Sequence, residues 1–115
     1  MDLILRTEEL DGWAVVKVTG DVDVASAPRL RTHVVSVVAG GQPNVVIDLE
    51  GVDFLDSTGL GVVIGALKRT RSQGGDLRLV CTRSAVQRLF ELTGLDRTIP
   101  LHASAGEAIA ADAPS

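Results

Sequence analysis

Asp56-Ser57-Thr58-Gly59-Leu60-Gly61 sets two hydroxyl side chains between an acid and a glycine. It does so where an apolar strand, Val45 to Leu49, hands over to a helix beginning near Ser57. A hydroxyl beside the unpaired N–H groups of a helix start is a place that tolerates a phosphate. The chemistry on offer is acceptance of a phosphoryl group, a switch rather than a catalytic step. The competing role is helix capping, which Ser performs routinely. Asp56 can cap instead, and three polar residues stand where one suffices. Gly59 and Gly61 each cost a helix roughly 1 kcal/mol, and they leave the hydroxyls open to a partner's active site. Thr58 is the alternative acceptor. One position further on, it falls in the first helical turn, where its hydroxyl is more readily tied up.

Asp21 and Asp23 form the second cluster, in a loop before Ser26. They read either as a solvated Asx-type turn or, functionally, as a loop that places Asp23 near Ser57, to orient its hydroxyl or meet a partner's cation. A metal site from Asp21, Asp23 and Asp56 has no ligand spacing to support it, so no metal is expected. Enzyme readings are weak. Ser57 is not in a Gly-x-Ser-x-Gly elbow. His33 and His102 come without an orienting carboxylate and read as surface histidines. The aspartic-protease triplet would need one residue fewer and a second carboxylate. No glycine-rich loop ends in Lys-Ser or Lys-Thr. No catalytic residue is therefore assigned, and no cofactor is expected to bind the chain itself.

The elements that must position these residues follow from pattern. Leu3 to Thr7 and Trp13 to Thr19 flank Asp11-Gly12, a hairpin signal. Val15 and Val16 are adjacent, so both faces of the second strand should meet apolar neighbours. Leu30, Val34, Val37 and Val38 make one stripe of a helix that starts by Ala27-Pro28 and stops at Gly40-Gly41. Val45 to Leu49 reads as a central parallel strand. The next helix, about Ser57 to Gln73, carries Leu60, Val63, Ile64 and Leu67 inward, with Lys68, Arg69 and Arg71 near its end, where the dipole favours cations. Leu77 to Cys81 is a buried strand. Ser84 to Gln87 has capping-box spacing ahead of Val86, Leu89 and Phe90, and Gly94 ends that helix. Thr98 to Leu101 reads as a short edge strand, and Ser104 to Glu107 repeats the capping-box spacing. The order β-β-α-β-α-β-α-β-α predicts an α/β fold: a mixed sheet of four to five strands, antiparallel at its N-terminal hairpin and otherwise largely parallel, with about four helices packed on it. Sites in open sheets lie at the carboxyl ends of parallel strands, where both Asp56-Ser57 and Gly20-Asp21-Val22-Asp23 fall.

The 115 residues suit one domain spanning 1–115, with 112–115 as a frayed tail. Aromatics are only 3% and Tyr is absent, so stacking platforms for bases are missing. A net charge of −4 argues against nucleic acid as a partner. The single cysteine, Cys81, excludes an internal disulfide and reads as a reduced core thiol. No signal segment or membrane-spanning window is evident, so no membrane insertion is expected and the cytoplasm is the default location.

Three segments in order resemble the STAS-domain family, in particular the bacterial anti-sigma-factor antagonists. Gly20-Asp21-Val22-Asp23-Val24-Ala25-Ser26-Ala27 is similar to that family's Gly-Glu-aliphatic-Asp signature, with Asp21 in place of the commoner Glu. Val46 to Gly65 is similar to its phosphoacceptor segment, and Val86 to Leu95 to its third-helix signature. The resemblance implies a chain that binds an anti-sigma factor, often itself a serine kinase, and so frees a sigma factor. It implies phosphorylation on Ser57 rather than Thr58, using Mg-ATP supplied by the partner kinase, and reversal by a serine phosphatase. It implies partner contacts around Asp21, Asp23, Asp56, Ser57, Thr58 and Gly59. STAS-like domains also serve as scaffolds or subunits of larger signalling or lipid-transport complexes, which is the rival reading. A weak nucleotide-binding activity is a third, with no motif behind it.

Overall fold

The computed structural model describes residues 2–111; the expected tail, 112–115, lies outside the described residues. Strand β1, Ile4–Leu10, turns back through Asp11 and Gly12, both at positive φ, into β2, Trp13–Val22. There follow α1 (Ala27–Ala39), β3 (Asn44–Leu55), α2 (Ser57–Ser72), β4 (Asp76–Val80), α3 (Ser84–Thr93), a 3-10 turn (Leu95–Arg97), β5 (Leu101–His102) and α4 (Ala105–Ala110). The five strands stand in sequence order, β1-β2-β3-β4-β5. Only the β1–β2 pair is antiparallel.

That order explains the layering. Each crossover from β2 to β5 steps in the same direction, and such crossovers are almost always right-handed. α1, α2 and α3 must then fall on one face. The main core is there: Val16, Ile47 and Leu79 from the sheet meet Leu30 and Val34 of α1, Val63 of α2, and Val86 and Phe90 of α3. The opposite face has a smaller core of Val15, Val46 and Val80 under Ala108 of α4. Val15 and Val16 thus divide between the two cores, as their adjacency requires. Arg78 fastens α4. Its guanidinium is buried, donates to the carbonyls of Ala108 and Ala111 at 2.7 and 2.8 Å, pairs with Asp76, and lies 5.2 Å from the Trp13 ring.

Several boundaries differ from expectation. β1 runs to Leu10 and β2 to Val22, each three residues beyond its predicted end, and β3 runs to Leu55, six residues beyond its own. The expected edge strand at Thr98 to Leu101 is displaced to Leu101–His102, because Thr98 and Ile99 close the 3-10 turn on Leu95 and Ile99 is buried. The capping box at Ser84 does not form: Arg83 is the N-cap, and the Gln87 side chain donates to the Cys81 carbonyl instead. At Ser104 the hydroxyl does accept from the Glu107 N–H, at 3.2 Å.

Candidate functional site

Two irregularities aim the end of β3. Lys17 stands opposite Asp48, but Thr19 stands opposite Gly51, so β3 carries an extra residue across from Val18. The Asp48 carboxylate accepts the Glu50 N–H at 2.9 Å and holds this bulge. Gly51 is required there, since a Cβ would lie 2.9 Å from the Val18 carbonyl oxygen. A second shift follows between Gly20 and Asp21. Bulges bend a strand and raise its twist, and they are common beside functional sites. Past them Asp21 pairs with Phe54 and Val22 with Leu55, and the Asp56 N–H donates to the Val22 carbonyl at 3.3 Å. The ladder thereby brings the Asp21–Asp23 loop and the Asp56–Ser57 turn to one pole of the molecule.

Asp56 is the N-cap of α2. Its carboxylate accepts the Gly59 N–H at 3.0 Å. Ser57 is therefore the first helical residue, exposed, and its hydroxyl has no hydrogen-bond partner among the described residues. The N–H groups of Ser57 and Thr58 are among those a helix start leaves unpaired. Thr58 is exposed as well, and its expected tying-up does not occur: its hydroxyl, too, has no partner among the described residues. Gly59, grouped with the contact residues by resemblance, is buried. A Cβ on it would lie 2.3 Å from Leu55 Cδ1 and 3.1 Å from the Val22 carbonyl oxygen. Its bareness lets the first turn of α2 press on the β2–β3 ends and so helps to position Ser57. Gly61 is exposed, with open space where its Cβ would be.

Asp23 builds its own loop. Its Oδ1 accepts the N–H groups of Ala25 and Ser26 at 3.0 Å and the Ser26 hydroxyl at 3.1 Å. The one Ser26 hydroxyl proton is shared with the nearer Asp21 carbonyl at 2.7 Å, and Ser26 Oγ accepts the Asp23 N–H at 3.0 Å. The Ser26 N–H and hydroxyl stabilise the charged form, so the Asp23 carboxyl is held below its ordinary range. The Asx turn of the sequence reading is what forms: Asp23 Oδ1 is engaged within its own loop and makes no hydrogen bond to the Ser57 hydroxyl. Asp21 is half-buried at the same pole.

Composition gave no warning of two apolar neighbours. Val24 and Phe54 are 72% and 51% exposed, on the loop beside Asp23 and opposite Asp21. An alternating apolar pattern cannot say which valine or phenylalanine is left outside; only the bulged end of β3 decides it. Thr58 opens onto a groove of about 260 Å³ between α1 and α2, floored by Val34 and Ala66 and flanked by Arg31 and Arg69. The pole thus sets the exposed side chains of Val24 and Phe54 among acids and hydroxyls, and aromatic side chains such as Phe54 are enriched where proteins meet. Among the described residues no three His, Cys, Asp or Glu side chains group as metal ligands. His33 contacts the Thr7 hydroxyl. His102 is half-buried on β5 rather than on the surface, and burial, then Arg78, push its pKa down. Cys81 is a buried free thiol whose pKa is raised by burial. Among the described residues no helix is long and apolar enough to cross a membrane.

The STAS domain family model matches residues 5–108. The chain is 40% identical over 103 residues to the anti-sigma-B factor antagonist of Bacillus subtilis, covering 90% of this chain and 94% of that protein. It is 35% identical over 95 residues to the protein of the same name from Staphylococcus aureus, covering 83% and 88%. The crystal structure of an anti-sigma factor antagonist from Mycobacterium paratuberculosis superimposes with a TM-score of 0.85 at 35% identity, over 94% of this chain and 92% of that one. With a sheet of this order, a capped and exposed serine at the end of its third strand, and these likenesses along nearly the full length, the chain belongs to the STAS domain family.

Proposed function

We propose that this chain is an anti-sigma-factor antagonist whose binding is switched off by phosphorylation of Ser57. The observation that carries the reading is the division of labour at the start of α2. Asp56 caps the helix, so Ser57 has no structural duty and its hydroxyl stands in solvent. Relatives named anti-sigma-B factor antagonist, alike over most of both chains, supply the partner class. In this reading the partner is a cytoplasmic anti-sigma factor with serine-kinase activity. It brings its own Mg-ATP, and a serine phosphatase restores the hydroxyl.

The electrostatics favour a switch in binding over a switch in fold. A phosphate adds about −1.5 to −2 charges. The free N–H groups and the positive end of α2 receive that charge locally, so the domain keeps its shape. In a complex the same charge joins Asp23 and Asp56 against the partner's surface. Like charges set against each other in an interface cost several kcal/mol, and each 1.4 kcal/mol is about tenfold in affinity. Incubation with the cognate kinase and radiolabelled ATP tests this. Wild type should take up label on Ser57, and Ser57→Ala should take up none while still binding the partner. Equal labelling of the alanine variant would refute the assignment.

A further inference from the structure

β1 is an outer strand whose free edge follows a strict parity. The two-residue turn at Asp11-Gly12 makes Leu10 and Trp13 the hydrogen-bonded pair that closes the hairpin. Pairs alternate along an antiparallel ladder, so Ile4, Arg6, Glu8 and Leu10 direct their backbone groups to β2. Leu5, Thr7 and Glu9 direct theirs outward. No backbone group of those three finds a partner among the described residues. The side chains of Ile4, Arg6, Glu8 and Leu10 share one face with Trp13, Val15 and Lys17. Ile4 and Leu10 are 52% and 40% exposed, among the few large apolar side chains left outside.

We infer that two copies of this chain associate through β1, antiparallel about a twofold axis at Thr7. Ile4 then faces the partner's Leu10, and Arg6 faces the partner's Glu8. Parity allows this register, because Thr7 meets the partner's Thr7 and Leu5 the partner's Glu9 as hydrogen-bonded pairs. Arg6–Glu8 and Ile4–Leu10 become the closer, non-hydrogen-bonded pairs, whose side chains interact most. Charges on an edge strand ordinarily deter association. Here their order does the reverse in one register only. One allowed step to either side sets Arg6 on the partner's Arg6, or Glu8 on the partner's Glu8, and like charges directly opposite repel. Within the single chain Arg6 already stands opposite Lys17, and Lys17 pairs with Glu8 at 3.3 Å. The partner's Glu8 would supply the counter-charge that Arg6 lacks among the described residues. The two Ile4–Leu10 contacts close the ends. The twofold sends the two Ser57 poles to opposite rims of one ten-stranded sheet, so neither is covered.

Sedimentation velocity of the full chain over a concentration series tests this, with circular dichroism confirming that each variant is folded. Wild type should show a concentration-dependent dimer. Arg6→Glu and Glu8→Arg should each weaken it by about tenfold or more, and the double swap Arg6→Glu/Glu8→Arg should restore it. Thr7→Pro removes an outward N–H without touching the β1–β2 ladder and should give a monomer. A wild type that stays monomeric up to about 1 mM, beyond the range of ordinary specific association, overturns the inference. So does a dimer that survives Thr7→Pro, or a double swap no better than the single reversals.

Discussion

The Asp56 carboxylate lies 3.0 Å from the Gly59 N–H, and this one bond releases Ser57 from the role that serines usually play at a helix start. Cap and exposed hydroxyl are adjacent residues, and only the first is engaged. Asp56→Ala should lower stability by about 1 kcal/mol, a fall in Tm of roughly 4 °C for a domain this size. Asp56→Asn keeps a capping oxygen and should stay within a few tenths of a kcal/mol of wild type. Thermal unfolding of the two variants separates the cap from its charge.

Gly59 and Gly61 are two positions apart in one helix and should respond with opposite signs. Gly59→Ala drives a methyl into Leu55 and the Val22 carbonyl, and overpacking of that kind costs about 1–3 kcal/mol. Gly61→Ala meets open space and should gain up to about 1 kcal/mol from helix propensity. Urea unfolding of both measures the difference.

Arg78→Met should destabilise by about 3 kcal/mol or more. It removes one of the two ion pairs of the half-buried Asp76, which keeps Arg71, and leaves the Ala108 and Ala111 carbonyls without their donor. Hydrogen exchange should show α4 opening before α1, α2 or α3.

Acid should weaken the fold in two steps. His102 has a folded-state pKa below its ordinary 6.5. Its neutral form is the one the fold prefers, so stability is full above about pH 6.5 and declines as pH falls below it. Asp23 has a folded-state pKa below its ordinary 3.8. Its contribution is full above about pH 4 and is lost as pH falls through the depressed value. Ser26→Ala should raise the Asp23 midpoint toward the ordinary one, read by carboxyl NMR titration. An unshifted midpoint would contradict the role given to Ser26.

Cys81 should resist a thiol reagent in the native protein and react at the rate of unfolding, because the thiol is buried and burial disfavours the thiolate. Rapid native modification would show that the β4 end is open.

The element order and helix faces were legible because periodicity reports burial directly: Leu30, Val34, Leu60, Val63 and Phe90 are all in the core. The pole was legible in type and only partly in geometry. β3 looked finished at Leu49 because Glu50, Gly51 and Asp53 break the apolar run. Two bulges absorb those residues, and a pattern of period two cannot signal an inserted residue. Gly59 looked like a device for exposure because its bareness has two uses, and only the distance to Leu55 tells them apart. Ser84 looked like a cap because spacing cannot show that the helix begins on Ser84 itself.

β3 pairs with β4 only as far as Asp48, and from there to Leu55 its ladder partner is β2, with Arg83 bracing Asp53 at 2.9 Å. At about 3.3 Å per residue, the chain climbs well clear of the fourth strand before it turns into the helix. Ser57 is mounted like the tip of a key on a stiff two-stranded shaft. If Ser57 is the modified residue proposed above, another protein's cleft would close around that tip while the broad body of the sheet stays outside, and a modifying enzyme and a binding partner would compete for the same narrow point.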